Sequence, residues 1–103
     1  MIKLKILEIF NSEDKDIKKI VVNKTTLEVV LLILKSNIEK KTLYADEFLE
    51  LNTIKASRSK KISIIQGLEK SKILERSFDE KDKRKKIIKI RDEIKNKLSR
   101  FLD

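Results

Sequence analysis

Cysteine, histidine, proline and tryptophan are absent from this chain of 103 residues, and Gly67 is its only glycine. These absences remove most of the parts from which catalytic sites are built. There is no thiol nucleophile, no imidazole base, no zinc-ligand set and no glycine-rich phosphate loop. The carboxylates Asp14/Asp16 and Asp79/Glu80/Asp82 lie among lysines and lack the spacing and the glycine of a calcium loop. An enzyme is therefore not expected, and neither is a cofactor or a metal. The lack of cysteine is compatible with a reducing cytosol. "MIKLKILEIF", interrupted by Lys3, Lys5 and Glu8, does not read as a signal peptide. The longest uncharged apolar run, "VVLLIL" from Val29 to Leu34, is far too short to span a bilayer. The expectation is a soluble, cytoplasmic protein of one small domain with a thin core, not associated with membranes.

What the chain does have is positive charge, unevenly placed. The formal net charge is +9. Residues 1–52 carry nine Lys/Arg against nine Asp/Glu, whereas residues 53–103 carry seventeen against eight, so the whole excess belongs to the second half. A genomic bias toward lysine and isoleucine would enrich both halves alike. The asymmetry points instead to a polyanion-binding face.

Apolar spacing divides the chain into helices and one hairpin. Ile2, Ile6, Ile9 and Phe10 form a helical stripe, the better reading of a segment whose Ile2, Leu4 and Ile6 would also suit a short strand, and "NSEDKD" supplies a break with Asn11 and Ser12 as N-cap candidates before a short helix through Ile17, Ile20 and Val21. "TTLE", Thr25 to Glu28, has the form of a capping box, and the run that follows is apolar nearly all round, which predicts a buried central helix. "TLYADEFLELNTI" predicts a short helix led by Asp46 and Glu47, acids suited to the positive end of its dipole.

From about Ser57 a further helix places Ile64, Ile65 and Leu68 on one face, with Ile62 at its flank. The opposite face reads Ser59, Ser63, Gln66 and Lys70, with Arg58, Lys60 and Lys61 near its N-terminal end. Short polar side chains beside cations suit close approach to base edges, where Gln pairs with adenine and Ser donates or accepts. "ILERS" and "KKIIKI" are β-prone runs separated by a charged loop, which predicts a hairpin. Ile90, Ile94, Leu98, Phe101 and Leu102 repeat at helical spacing to close the chain. This last helix has two options, to pack on its own domain or to pair with the N-terminal helix of a second copy.

Helix, turn, helix and charged hairpin is the order of a winged helix-turn-helix. The predicted fold class is thus mainly α with a small two-stranded β wing over residues 73–91. The whole of residues 1–103 forms one domain, with residues 1–22 and 91–103 as dimerisation helices. A wing lying along the phosphate backbone explains its cations: Arg84 is expected to enter the minor groove, while Lys81, Lys83, Lys85 and Lys86 bind phosphates. Lysines guarding a solvated strand edge are the structural counter-reading.

The run "LEKSKILERSFDEKDKRKKIIKI" resembles the end of the recognition helix and the wing of the MarR family of transcription regulators, including its SarA-like branch. Leu68 and Glu69 match the pair that closes the helix, Ile73, Leu74 and Arg76 the opening of the wing, and Asp82 and Arg84 its Asp-x-Arg signature. The resemblance implies that Asp82 positions the wing and that Arg84 contacts the minor groove. Three departures stand out. Lys72 replaces the family's glycine before the wing, so the helix must end without an easy left-handed residue. "NTIKASRS" is a few residues longer than the family turn, and the chain is shorter than typical members.

The functional expectation is a sequence-specific regulator of transcription that binds double-stranded DNA as a homodimer. Its contact residues are Arg58, Ser59, Lys60, Lys61, Ser63, Gln66 and Lys70 on the helix, and Lys81, Asp82, Lys83, Arg84, Lys85 and Lys86 on the wing. Two rivals carry the same outline: a winged-helix module that recruits an acidic protein, and a replication or plasmid-maintenance factor.

Overall fold

A computed structural model describes residues 5–101. The expected contributions of Ile2 and Leu102 lie outside these residues. The described chain folds as six helices and one two-stranded antiparallel sheet, a small α+β arrangement.

The first two helices are short. α1 (Ile6–Phe10) buries Ile9, and α2 (Lys15–Ile20) buries Ile17 and Ile20. Asp14 caps α2, its Oδ1 accepting from the amides of Asp16 at 2.8 Å and Ile17 at 3.2 Å. The expected caps, Asn11 and Ser12, do not serve: the Ser12 hydroxyl accepts from Asp14 N and so sets up the real cap instead. A carboxylate is also the better cap here, because it meets the positive helix end with a full charge.

α3 (Lys24–Ile38) is the longest helix and the centre of the core. Val29, Val30, Ile33 and Leu34 are buried, with Leu27 and Leu32 half-buried on its flanks and packed against the core. Its N-cap is Asn23, whose Oδ1 accepts from Thr26 N at 2.8 Å. The capping box expected at Thr25 does not form, because the helix has already begun at Lys24 and Thr25 is inside it. α4 (Ala45–Glu50) buries Phe48 fully and packs against α5 and the sheet.

α5 (Arg58–Lys70) runs into the hairpin through a tight closure. Lys72 N bonds Glu69 O and Ile73 N bonds Leu68 O, both at 3.0 Å, the paired bonds of a Schellman turn. The turn requires a left-handed residue, and Lys72 supplies it with φ of 61°. The helix thus ends without an easy left-handed residue, as expected: the conformation is kept and a lysine bears its strain. Lys40, with φ of 57°, closes α3 in the same way.

β1 (Leu74–Phe78) and β2 (Lys86–Ile90) pair from Leu74↔Ile90 to Phe78↔Lys86. The outer edge of β2 is also occupied: Tyr44 bridges Ile87, Ile88 N bonds Leu43 O at 3.0 Å, and Ile90 N bonds Asn37 Oδ1 at 2.9 Å. Ile90 thus belongs to the sheet, and the terminal helix α6 (Asp92–Ser99) starts after it, contrary to the periodic reading. Ile94 and Leu98 of α6 are buried in the core of the same chain, and Lys97 bridges Asp16 at 2.7 Å and Asp14 at 3.0 Å at the start of α2. Of the two options for α6, packing on its own domain is the one adopted. Among the described residues no helix is long and apolar enough to cross a membrane.

Candidate nucleic-acid interface

The exposed face of α5 carries Ser59, Lys60, Ser63, Gln66 and Lys70, all open to solvent. Ser57 Oγ caps the helix through Lys60 N at 3.1 Å, which fixes where this face begins. Arg58 is exposed and pairs with Glu50 of α4 at 2.6 Å. The pair is worth little at the surface, so the guanidinium is available to a stronger anion. Gly67 has nothing within 4 Å of where a Cβ would stand, and it opens with Ser63 onto a cleft of about 330 Å³ shared with Lys19 and Val22.

Lys61 departs from the expected set. It is only 4% exposed, and its Nζ donates to Leu51 O at 2.6 Å and to Leu49 O at 3.3 Å. The ammonium caps the C-terminal carbonyls of α4, where a cation meets the negative end of the helix dipole. It is a structural residue turned away from the exposed face. The signal was present in the spacing: Lys61, Ile65 and Leu68 stand at i, i+4 and i+7, one buried stripe with a lysine at its head.

The hairpin loop is built on its acids. Asp79 Oδ1 accepts from the amides of Lys81 at 2.8 Å and Asp82 at 3.1 Å, and its Oδ2 accepts from the Tyr44 hydroxyl at 2.7 Å. Asp82 Oδ1 accepts from Arg84 N and Arg84 Nε, each at 3.1 Å. Backbone bonds from Asp79 N to Lys85 O and from Lys85 N to Asp82 O close the turn, both at 3.0 Å. The Tyr44 hydroxyl holds the Asp79 carboxyl below the usual carboxylate range, and the same bond pushes the Tyr44 phenol up. Arg84 holds Asp82 down likewise.

Two of the loop's three acids are thereby spent on its own backbone and side chains, while Lys81, Lys83, Arg84, Lys85 and Lys86 stay exposed. The Arg84 side chain is 92% exposed. Lys85 Nζ lies 5.2 Å from the centroid of the Tyr44 ring, a cation–π distance. Tyr44 was invisible to sequence reasoning. It lies 35 residues from Asp79, and no local pattern links a residue before α4 to the tip of a hairpin.

Helix and hairpin are joined by more than the Schellman turn. Arg76 of β1 forms an ion pair with Glu69 in the last turn of α5, both side chains about two-thirds buried. No family model matches the chain, and no curated protein or solved structure shows significant similarity to it.

Proposed function

We propose that this chain is a winged-helix domain that binds duplex DNA in a sequence-specific manner and regulates transcription. α3, α4 and α5 correspond to the helical part, α5 to the recognition helix, and the β1–β2 hairpin to the wing. The observation that carries the reading is the division of labour in the loop: Asp79 and Asp82 are consumed internally, and five cations are left facing solvent. A hairpin that merely protected a strand edge has no need of an aspartate scaffold that presents an arginine. The MarR-like residues Glu69, Arg76, Asp82 and Arg84 support the same reading, since they pair with one another here as two ion pairs that hold helix to wing and wing to arginine.

In this reading Ser59, Ser63 and Gln66 address base edges in the major groove, and Arg58, Lys60 and Lys70 flank them on phosphates. Lys61 is no longer part of the set. Arg84 enters the minor groove, and Lys81, Lys83, Lys85 and Lys86 bind the backbone. A symmetric homodimer places two such surfaces on successive grooves. The exposed apolar side chains of α1, Leu7 and Phe10, support α1 as its contact, given that the apolar face of α6 is used within the chain.

Titration of a mixed-sequence duplex across a salt series tests the proposal. The logarithm of affinity should fall with the logarithm of salt by about 0.9 per phosphate neutralised. Arg84→Ala should weaken binding by about 1–3 kcal/mol, as for a good arginine contact. Absence of binding at low salt, or an affinity indifferent to salt, would overturn it.

A further inference from the structure

Phe78 is the one large apolar side chain on the hairpin that is open to water, at 62% exposure. It ends β1, where it pairs in register with Lys86, and it leads directly into the cationic loop. Strand alternation fixes the side on which it stands. Leu74, Arg76 and Phe78 share one face of β1, and their partners Ile90, Ile88 and Lys86 share that face on β2. Leu74, Ile88 and Ile90 on this face are buried in the core, and Arg76 reaches across to Glu69 of α5. Phe78 is the next residue outward. It therefore stands on the helix-facing side of the hairpin, past the end of the core.

A single exposed apolar side chain is ordinary on a protein surface; it is the position of this ring, at the end of a paired strand and at the head of a cationic loop, that points to something covering it. The surroundings decide what. Lys86 faces it across the ladder, Lys81, Lys83, Arg84 and Lys85 follow it, and the nearby carboxylates of Asp79 and Asp82 are already engaged. A second copy bringing the same surface would oppose cation to cation. A polyanion that also offers flat apolar rings satisfies both features at once, and nucleic acid is that partner.

We propose that Phe78 is a base wedge: its ring enters at a base step of the bound duplex and partly unstacks it, while the lysines around it hold the adjoining phosphates. This rests on the duplex-binding reading above and adds to it a mode of contact and a preference. A wedge favours duplexes that are easily unstacked, because the cost of opening the step is then lower. The protein should bind a duplex containing one central mismatch more tightly than the fully paired duplex of the same sequence.

Fluorescence anisotropy with those two labelled duplexes, at one salt concentration and again across a salt series, provides the test. Wild-type protein should prefer the mismatched duplex by about tenfold. Phe78→Ala should lose most of that preference and retain the salt slope, and Phe78→Trp, which keeps a larger ring, should restore it. Equal preference in wild type and Phe78→Ala, with both still bound in a salt-dependent way, overturns the wedge and leaves duplex binding standing. Failure of the wild type to bind either duplex overturns the underlying reading instead. A change in oligomeric state of DNA-free Phe78→Ala, measured by sedimentation, would assign the ring to a second copy and also overturn the wedge.

Discussion

Lys60 and Lys61 are neighbours of identical chemistry, and the structure gives them opposite environments, one exposed and one buried, which makes them a sharp test of the proposal. Truncating Lys61 to alanine removes three buried methylenes, about 2.4 kcal/mol at ~0.8 each. It also removes an ammonium bonded to two carbonyls, about 1.5–3 kcal/mol. The alanine variant no longer has to desolvate an ion, which returns part of this sum. We expect a net loss of about 2–3 kcal/mol, read as a fall in Tm of roughly 10–20 °C for a domain of this size. Lys61→Met keeps the apolar stem and should lose about half as much. Lys60→Ala, on the open face, should stay within ~0.5 kcal/mol of wild type. The DNA experiment inverts the ranking: below their melting temperatures both Lys61 variants should keep the wild-type salt slope, whereas Lys60→Ala should flatten it by about 0.9. A Lys61→Ala protein that melts like wild type and has lost part of its salt slope would refute the assignment.

Lys72→Gly should stabilise the domain by about 0.5–1 kcal/mol in urea unfolding, because relief of a left-handed lysine, ~1–2 kcal/mol, exceeds the added freedom of the unfolded chain. Destabilisation would mean that the lysine side chain makes a contact outweighing its strain. Tyr44 is the sole tyrosine and tryptophan is absent, so ultraviolet titration reads one phenol. Its ionisation should fall above the ordinary value of 10.0 and return toward it in Asp79→Ala. Stability should follow these groups with definite signs. Asp14, held down chiefly by Lys97, and Asp79 and Asp82 contribute stability that is present above their ordinary value of 3.8 and is lost as pH falls through their lowered values. Lys97 and Lys89, raised by their carboxylate partners, contribute below 10.5 and lose that contribution only at higher pH. Denaturant midpoints should therefore form a plateau from roughly pH 5 to pH 9 with an acid decline; a midpoint that rises on acidification would contradict the pairs.

The elements were legible where burial writes a period into the chain. α3, α5 and the hairpin lie where their apolar residues put them, because a 3.6- or 2-residue repeat survives translation into packing. Boundaries were less legible, since several residues compete for each. Asn23 and Asp14 won the caps over Thr25 and Ser12 through positions only two residues away. Ile90 fits the helical repeat of the residues after it, yet its amide is taken by Asn37 from 53 residues away, and the strand keeps it. The candidate site divides in the same manner. The exposure of Arg84 and the serine face follow from local composition. The burial of Lys61 and the Tyr44–Asp79 anchor follow from contacts across the fold, where polarity of a residue says nothing about its partner.

The closure of β2 on both sides has a consequence for self-association. With Leu43 and Asn37 on its far flank, the sheet can be lengthened by an incoming strand only along β1, among the described residues. That remaining rim carries Glu75, Arg76 and Ser77, polar residues that disfavour cross-β stacking. Replacing Asn37 by leucine would free only the Ile90 amide, because Leu43 still occupies Ile88 and Tyr44 still bridges Ile87, so this flank stays closed to a full incoming strand.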